Sequence, residues 1–423
     1  MTGAVIGFAG MTHLGLVSGV CAAEKGFRVV CFDPSASRIA ALKRRELPVS
    51  EPRLDHLVVK NADRLQFTAS DDDLSGCAVL YVAPDVATDD AGQSDLGPLT
   101  ALLERVFAAA RRDAVIVVLS QVPPGYTRGN QRDGRSLYYQ VETLIFGRAV
   151  ERALQPERTI VGCADPAQPL PAAYRAFLDA HGCPVLPMRY ESAELAKISI
   201  NMFLVASVST ANTLAELCEA IGADWSEIVP ALRLDKRIGQ HAYLSPGLGI
   251  AGGNLERDLA TVIRFADERG TDAGVVRSWL ANSRHRRDWA LRLLHKHILS
   301  KVRDPVLAIL GLAYKQDTHS TKNSPSLALL AHLHSFRVRL YDPVVVPAEA
   351  NHPRAQGAKS ELEACDGADA LIVMTPWPQF SKLDPREIAS RLRGKVVLDP
   401  YAVLNNADCR AAGLEYHRLG AEV

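Results

Sequence analysis

Short runs of β-branched and other apolar residues alternate with amphipathic helical stretches through the first third of the chain: Ala4–Gly7, Arg28–Phe32, Ala78–Val82, Val115–Leu119 and Thr159–Val161. This alternation predicts a parallel sheet assembled from βαβ units. The rhythm restarts after residue 304, where Val306–Leu310, Arg337–Tyr341, Ala370–Met374 and Lys395–Leu398 are strand candidates. Between the two, Glu191–Ala220 reads as one long helix with few breakers and apolar residues at helical spacing, followed by further helical segments to about Lys301. The fold class is therefore α/β, with doubly wound parallel-sheet domains over 1–190 and 302–423 joined by a central helical domain over 191–301. An apolar helix of that length points to a packing or dimer surface.

At 423 residues the chain exceeds what one core usually organises, in keeping with several domains. Basic and acidic residues balance at 48 each with no long single-sign run, which argues against nucleic acid or a membrane surface as the main partner. Small or locally charged ligands fit better. The eight cysteines (21, 31, 77, 163, 183, 218, 365 and 409) have no CxxC spacing, so neither a metal site nor a disulfide framework is indicated and a reducing cytoplasm is the economical reading. The chain opens without a basic, then apolar, leader, and no segment approaches 18 uninterrupted apolar residues. A soluble cytoplasmic protein is the expectation.

The first strand runs into Gly10-Met11-Thr12-His13-Leu14-Gly15, then a helix through Ala23, then a second strand ending at Asp33. This is the order of a Rossmann-like dinucleotide site: a tight glycine turn, a helix N-terminus at the pyrophosphate, and an acid roughly 20 residues on for the ribose hydroxyls. Asp33 favours NAD over NADP, since a carboxylate repels a 2′-phosphate. The middle glycine of the pattern is Thr12, so the turn is slightly opened or the cofactor sits less tightly there. The alternative is an α/β turn with no cofactor.

With these residues in view, the chain resembles the UDP-glucose/GDP-mannose dehydrogenase family over nearly its whole length. "GLVSGVCAAEKGFRVVCFD" with "RRELPVSEP" is similar to that family's first βαβ unit, "SQVPPG" to its S-T-V-P loop and "ELAKISINMFLVASVSTANTLAELCEAIGAD" to its central helix. "LDKRIGQHAYLSPGLGIAGGNLERDL" resembles the active-site loop, "ILGLAYKQDT" and "SPS" the start of the C-terminal domain, and "WPQF" with "VVLDP" the closing strands. The resemblance implies NAD as cofactor, with Ser120, Gln121 and Lys315 added to Gly10, Thr12, His13, Leu14, Gly15 and Asp33 around it. It also implies a homodimer through the central helix and a nucleotide sugar gripped by the C-terminal domain, with Arg237, Gly249, Gly252, Gly253 and Lys315 on the substrate.

Family members oxidise the C6 primary alcohol of a nucleotide-activated sugar to a carboxylate in two hydride transfers, the second through a cysteine thioester. Laid on the family's G-G-S-C-x-x-K-D pattern, Ala251 to Asp258 put Asn254 at the nucleophile. An amide nitrogen is a poor nucleophile because its lone pair is delocalised. No cysteine lies between Cys218 and Cys365, so a slip in register does not restore a thiol. Lys197 and Asn201, four apart and hence on one helix face, match the lysine and asparagine near the reacting carbon, and Asp258 matches the aspartate that helps hold the catalytic water. A lysine stabilises a developing alkoxide, and a carboxylate with bound water receives the alcohol proton. Glu142 falls on the first glutamate of the P-E-F-L-x-E-G segment. The second glutamate has become Phe146 and the threonine of S-T-V-P has become Gln121. T-D-D-x-R-E-S appears as Thr318 to Ser324, with Lys322 for the arginine, and D-G-R-N as Asp399-Pro400-Tyr401-Ala402. Lysine loses bidentate phosphate recognition.

Individually these residues have plainer uses: Lys197 and Glu142 as ion-pairing groups, Asn201 and Asn212 as packing amides, and Asn254 as N-cap of the following helix. Together they predict an NAD-dependent oxidoreductase acting on a nucleotide sugar, confined to alcohol–aldehyde chemistry. An epimerase or isomerase that retains NAD and returns the hydride, and a non-catalytic nucleotide-sugar-binding homologue, are the alternatives.

Overall fold

The computed structural model describes residues 3–89 and 92–422, in two compact units, Met1–Ile200 and Asn201–Val423. The first unit is built on eight strands: β1 (Val5–Ala9), β2 (Arg28–Phe32), β3 (Leu65–Thr68), β4 (Val79–Val82), β5 (Val115–Val118), β6 (Ser136–Gln140), β7 (Thr159–Cys163) and β8 (Val185–Arg189). Their order is β3-β2-β1-β4-β5-β6-β7-β8, parallel except for the β6–β7 pair. Every residue of β4 and β5 is buried, which is why those segments read as unbroken apolar runs. Three strands escape the sequence pattern for local reasons. β6 (SLYYQ) and β3 (LQFT) carry polar residues among the apolar ones, and β8, at the sheet edge, contains Pro187.

The order reverses between β1 and β4, and an open parallel sheet binds ligands outside its strand C-termini at such a reversal. Gly10 follows β1, Asp33 follows β2, Asp85 lies just past β4, Ser120 and Gln121 past β5, and Glu142 past β6. Because β6 runs parallel to β5, Glu142 shares this edge with the glycine turn. The antiparallel turn to β7 leaves that arrangement intact.

In the second unit the strands are β9 (Val306–Leu310), β10 (Arg337–Tyr341), β11 (Ala355–Gly357), β12 (Ala370–Val373), β13 (Val396–Leu398) and β14 (Glu415–His417), all parallel in the order β11-β10-β9-β12-β13-β14. β11 and β14 have three residues each and sit at the two edges, too short to leave a pattern in the sequence.

The long helix spans Tyr190–Ile221, within a residue of its predicted limits at each end. In the first unit its Glu194, fully buried, accepts hydrogen bonds from the Gly125 amide at 2.6 Å and the Thr127 amide at 2.8 Å. In the second unit its Asn212, also buried, accepts from the Gly247 amide at 2.8 Å. Among the described residues it is the one helix long and apolar enough to cross a membrane by length and composition. On it, the polar side chains of Glu194, Lys197, Asn201 and Asn212 have protein partners.

Candidate functional site

The glycine turn of the first unit is fixed by close contact. Gly10 has φ +98°, and a Cβ there would lie 2.7 Å from the Pro84 nitrogen; at Gly15 a Cβ would lie 2.0 Å from the Gly10 carbonyl oxygen. Only glycine lets helix His13–Glu24 start this close to β1. Asp33, 1% exposed, accepts from the Met11 amide at 2.8 Å and the Ser35 amide at 2.9 Å, and pairs with Arg38 at 2.8 Å. The expected acid thus also braces the turn.

Thr12 occupies the N-cap position of that helix without a side-chain cap. Its hydroxyl accepts from the Asp85 amide at 2.7 Å, and the Asp85 carboxylate accepts from the His13 amide at 2.8 Å. The threonine in place of the middle glycine is therefore knitted to the loop after β4. His13 is buried, its Nε2 2.9 Å from Glu51 Oε1 and its ring stacked 4.2 Å from Phe146. Glu51 also accepts from the Gly147 and Ala149 amides, so it anchors the segment that follows Glu142. Leu14 is buried in the first turn, and Ser120 donates to the Pro84 carbonyl at 2.5 Å. Gln121 is half-buried beside it. The cradle fits a dinucleotide: two glycines with no room for a Cβ, a helix N-terminus and an acid at the end of β2.

Lys197 and Glu142, 55 positions apart in sequence, meet in this unit. Nζ lies 2.7 Å from Glu142 Oε1 and donates to the Glu142 carbonyl at 3.2 Å, and the two side chains are 14% and 17% exposed. The Leu144 amide donates to the second carboxylate oxygen at 2.9 Å. The ammonium is thus held by a bent, partly dry contact.

In the second unit the loop ending in Gly252 and Gly253 leads into helix Asn254–Arg269. Gly249 (φ +77°) and Gly252 (φ +82°) adopt left-handed backbone, and Cβ atoms there would lie 2.4 Å from the Ser283 carbonyl oxygen and 2.9 Å from the Tyr314 ring. The N-cap position belongs to Gly253, and no side chain caps the helix. Asn254 is therefore the first helical residue, exposed, and the N-cap reading of its side chain is corrected: a residue already in helical backbone cannot turn its amide back onto the first free N–H groups. One turn on, Asp258 is 1% exposed and accepts from Asn201 Nδ2 at 2.5 Å, with Arg257 Nε 3.3 Å from its other oxygen. Asn201 and Asp258, singled out separately by resemblance, are joined by a direct hydrogen bond.

Segment 318–324 packs on this loop. The Gly252 amide donates to the Lys322 carbonyl at 3.1 Å, and Asn323 donates to the Gly252 carbonyl at 2.9 Å and to Glu256. Lys315 lies 5.7 Å from the Tyr314 ring. Arg237 stands 89% exposed and paired with Asp235 at 2.6 Å. A pocket of about 590 Å³ opens beside the loop, lined in part by Trp225, Arg233, Pro246, Tyr401 and Arg418.

Sequence reading missed Glu51, Asp85, Asn323 and Asp342. Asp342 had a signal: "LYDP" at 340–343 repeats "CFDP" at 31–34. It accepts from the Leu312 amide at 2.6 Å beside Gly311 (φ +95°), as Asp33 does from Met11 beside Gly10. The others hold loops through contacts between residues far apart in sequence, which leave no local pattern.

Residues 4–177 match the NAD binding domain of the UDP-glucose/GDP-mannose dehydrogenase family, residues 191–284 its central domain and residues 308–406 its UDP binding domain. The chain is 30% identical over 437 aligned positions to a UDP-glucose 6-dehydrogenase of Pseudomonas aeruginosa, covering 97% of this chain and 96% of that one. It is 28% identical to UDP-glucose 6-dehydrogenase TuaD of Bacillus subtilis, covering 98% and 93%. The solved UDP-glucose dehydrogenase of the archaeon Pyrobaculum islandicum superposes with a TM-score of 0.85 at 27% identity, covering 99% and 98%. With a glycine cradle suited to NAD and three consecutive domain matches, the chain belongs to the UDP-glucose/GDP-mannose dehydrogenase family and is an NAD-dependent oxidoreductase.

Proposed function

We propose that this protein oxidises the primary alcohol of a nucleotide sugar to the aldehyde, in one two-electron step, and does not carry the aldehyde on through a thioester. The observation that carries the reading is Asn254, exposed at the first turn of its helix, one turn before the buried Asp258–Asn201 pair. The nearest cysteines in sequence, Cys218 and Cys365, are buried, and burial pushes their thiols up, that of Cys365 to about 12. A neutral, enclosed thiol is not a nucleophile.

Held by the cradle of Gly10, Gly15 and Asp33, NAD would supply the hydride acceptor for the carbinol carbon. Lys197, its ammonium set by Glu142, supplies positive charge to the oxygen that becomes the carbonyl. Asp258, oriented by Asn201, takes the alcohol proton through a water, so the products are aldehyde, NADH and one proton. Asn254 donates to or accepts from the aldehyde or hydrate oxygen. Arg237, Gly249, Gly252, Gly253 and Lys315 are assigned to the substrate. Gly10, Thr12, His13, Leu14, Gly15, Asp33, Ser120, Gln121 and Lys315 are assigned to the cofactor.

The proposed assembly is a homodimer through the central helix. Phe203 (78% exposed), Leu214, Leu217 and Ile221 (66% exposed) recur at 11, 3 and 4 residues and so form one apolar stripe. All eight cysteines are free thiols, in keeping with the proposed cytoplasmic setting. The test is stoichiometry: incubation with NAD and a panel of UDP- and GDP-sugars yields one NADH per sugar and an aldehyde that hydrazine traps. Two NADH per sugar with uronate as product overturns the proposal.

A further inference from the structure

Away from the glycine loops, the second unit gathers two imidazoles and a carboxylate. His297 lies in a single turn of π-helix, His295–Leu299, and Glu415 and His417 stand two apart on β14, hence on one face of that edge strand. His297 Nδ1 is 2.6 Å from Glu415 Oε1, and His417 Nε2 is 3.1 Å from the same oxygen. The ligand atoms of all three residues lie within 4.8 Å of one another.

We infer that His297, Glu415 and His417 form a binding site for a borderline divalent transition ion, of the Zn²⁺ or Co²⁺ class, that ties the edge strand β14 to the helical segment preceding β9. The donor set is two imidazoles and one carboxylate, which is the ligand chemistry of an open three-residue zinc site. With metal–ligand bonds near 2.1 Å, tetrahedral donors stand about 3.4 Å apart. The observed 2.6 and 3.1 Å separations lie within about 1 Å of that spacing, and the remaining His–His separation, within 4.8 Å, closes by at most about 1.4 Å to admit an ion.

Charge and access agree with that geometry. The two imidazole side chains are 12% and 7% exposed, whereas Glu415 is 48% exposed, so the carboxylate side is open for a water to complete the coordination. As ligands, two imidazoles and one carboxylate carry a single negative charge for a divalent ion to neutralise. Cysteine spacing gave no sign of this site, because its ligands come from segments more than a hundred residues apart.

The experiment titrates Zn²⁺, and Co²⁺ for its tetrahedral absorption bands, into the chelator-treated full-length chain. One ion per chain is expected, raising the melting temperature by mass action. His297→Gln and His417→Gln, which keep a hydrogen bond to Glu415, weaken the ion by more than about tenfold and abolish the thermal shift. Glu415→Gln, at a half-exposed position that does not threaten the fold, weakens it comparably. His334→Ala, at an exposed histidine outside the cluster, leaves binding unchanged. No stoichiometric ion, or an ion bound equally well by the His297→Gln, His417→Gln and Glu415→Gln variants, overturns the inference.

Discussion

Lys197→Met tests whether the ammonium is catalytic or merely one half of an ion pair. The side chains of Lys197 and Glu142 are 14% and 17% exposed and meet at 2.7 Å, so removing one partner leaves a carboxylate largely out of water. Breaking such a pair costs about 3–5 kcal/mol, and losing the bond from Nζ to the Glu142 carbonyl adds about 1 kcal/mol. For a unit of 200 residues, each kcal/mol lowers the melting temperature by about 2–4 °C. The first unit should therefore melt at least about 8 °C lower in the variant. Catalysis should fall separately, by about 10²–10³ in kcat, the loss seen when one preorganised stabiliser of developing negative charge is removed.

Lys197→Met combined with Glu142→Gln separates the two effects. A neutral pair of similar volume restores most of the stability, to within about 1–2 kcal/mol, because no buried charge is left unmatched and glutamine still accepts from the Leu144 amide. The lost turnover does not return. Thermal melts of the single and double variants, with stopped-flow measurement of NADH formation, read both. If turnover recovers together with stability in the double variant, or if Lys197→Met leaves kcat unchanged, the charge has no role in hydride transfer.

Asn254→Cys restores a thiol at an exposed first-turn position where a helix N-terminus lowers its pKa, and NADH formed per sugar should rise above one, with loss on alkylation; an unchanged stoichiometry would refute the assignment of this position. Gly252→Ala forces a side chain into φ +82° and to 2.9 Å from the Tyr314 ring, so the loop should lose about 1–3 kcal/mol and substrate KM should rise, as steady-state kinetics and urea melts will show. Phe203→Asp removes an apolar ring from both copies of the proposed dimer stripe. At about 1.5–3 kcal/mol per ring, dissociation should strengthen by two to four orders of magnitude, read by light scattering across a dilution series; an unchanged assembly places the interface elsewhere.

Some of this protein was written in local sequence. β4, β5 and β9 and the long helix could be placed because burial on both faces makes a strand an unbroken apolar run and because a helix of 32 residues repeats its period many times. Gly10, Gly15 and Asp33 were legible because a tight turn and a strand-end acid are fixed at known spacing. Asn254 was visible because its loop carries its glycines in order, although its place as first helical residue was not: N-cap and first turn differ by one dihedral setting, which sequence does not fix.

Other features required the chain to fold before they existed. β3, β6, β8, β11 and β14 are short, edge-lying or polar, and their hydrogen bonds come from neighbouring strands rather than from their own composition. The ion pair of Lys197 with Glu142, the bond of Asn201 to Asp258, the bracing of Thr12 by Asp85 and the cluster of His297 with Glu415 and His417 each join residues tens to more than a hundred positions apart. Sequence alone determined the order of elements and the residue types at the glycine loops, because those depend on spacing along the backbone. Which charges and amides face one another was decided only by tertiary structure, since desolvation and hydrogen-bond geometry act through space.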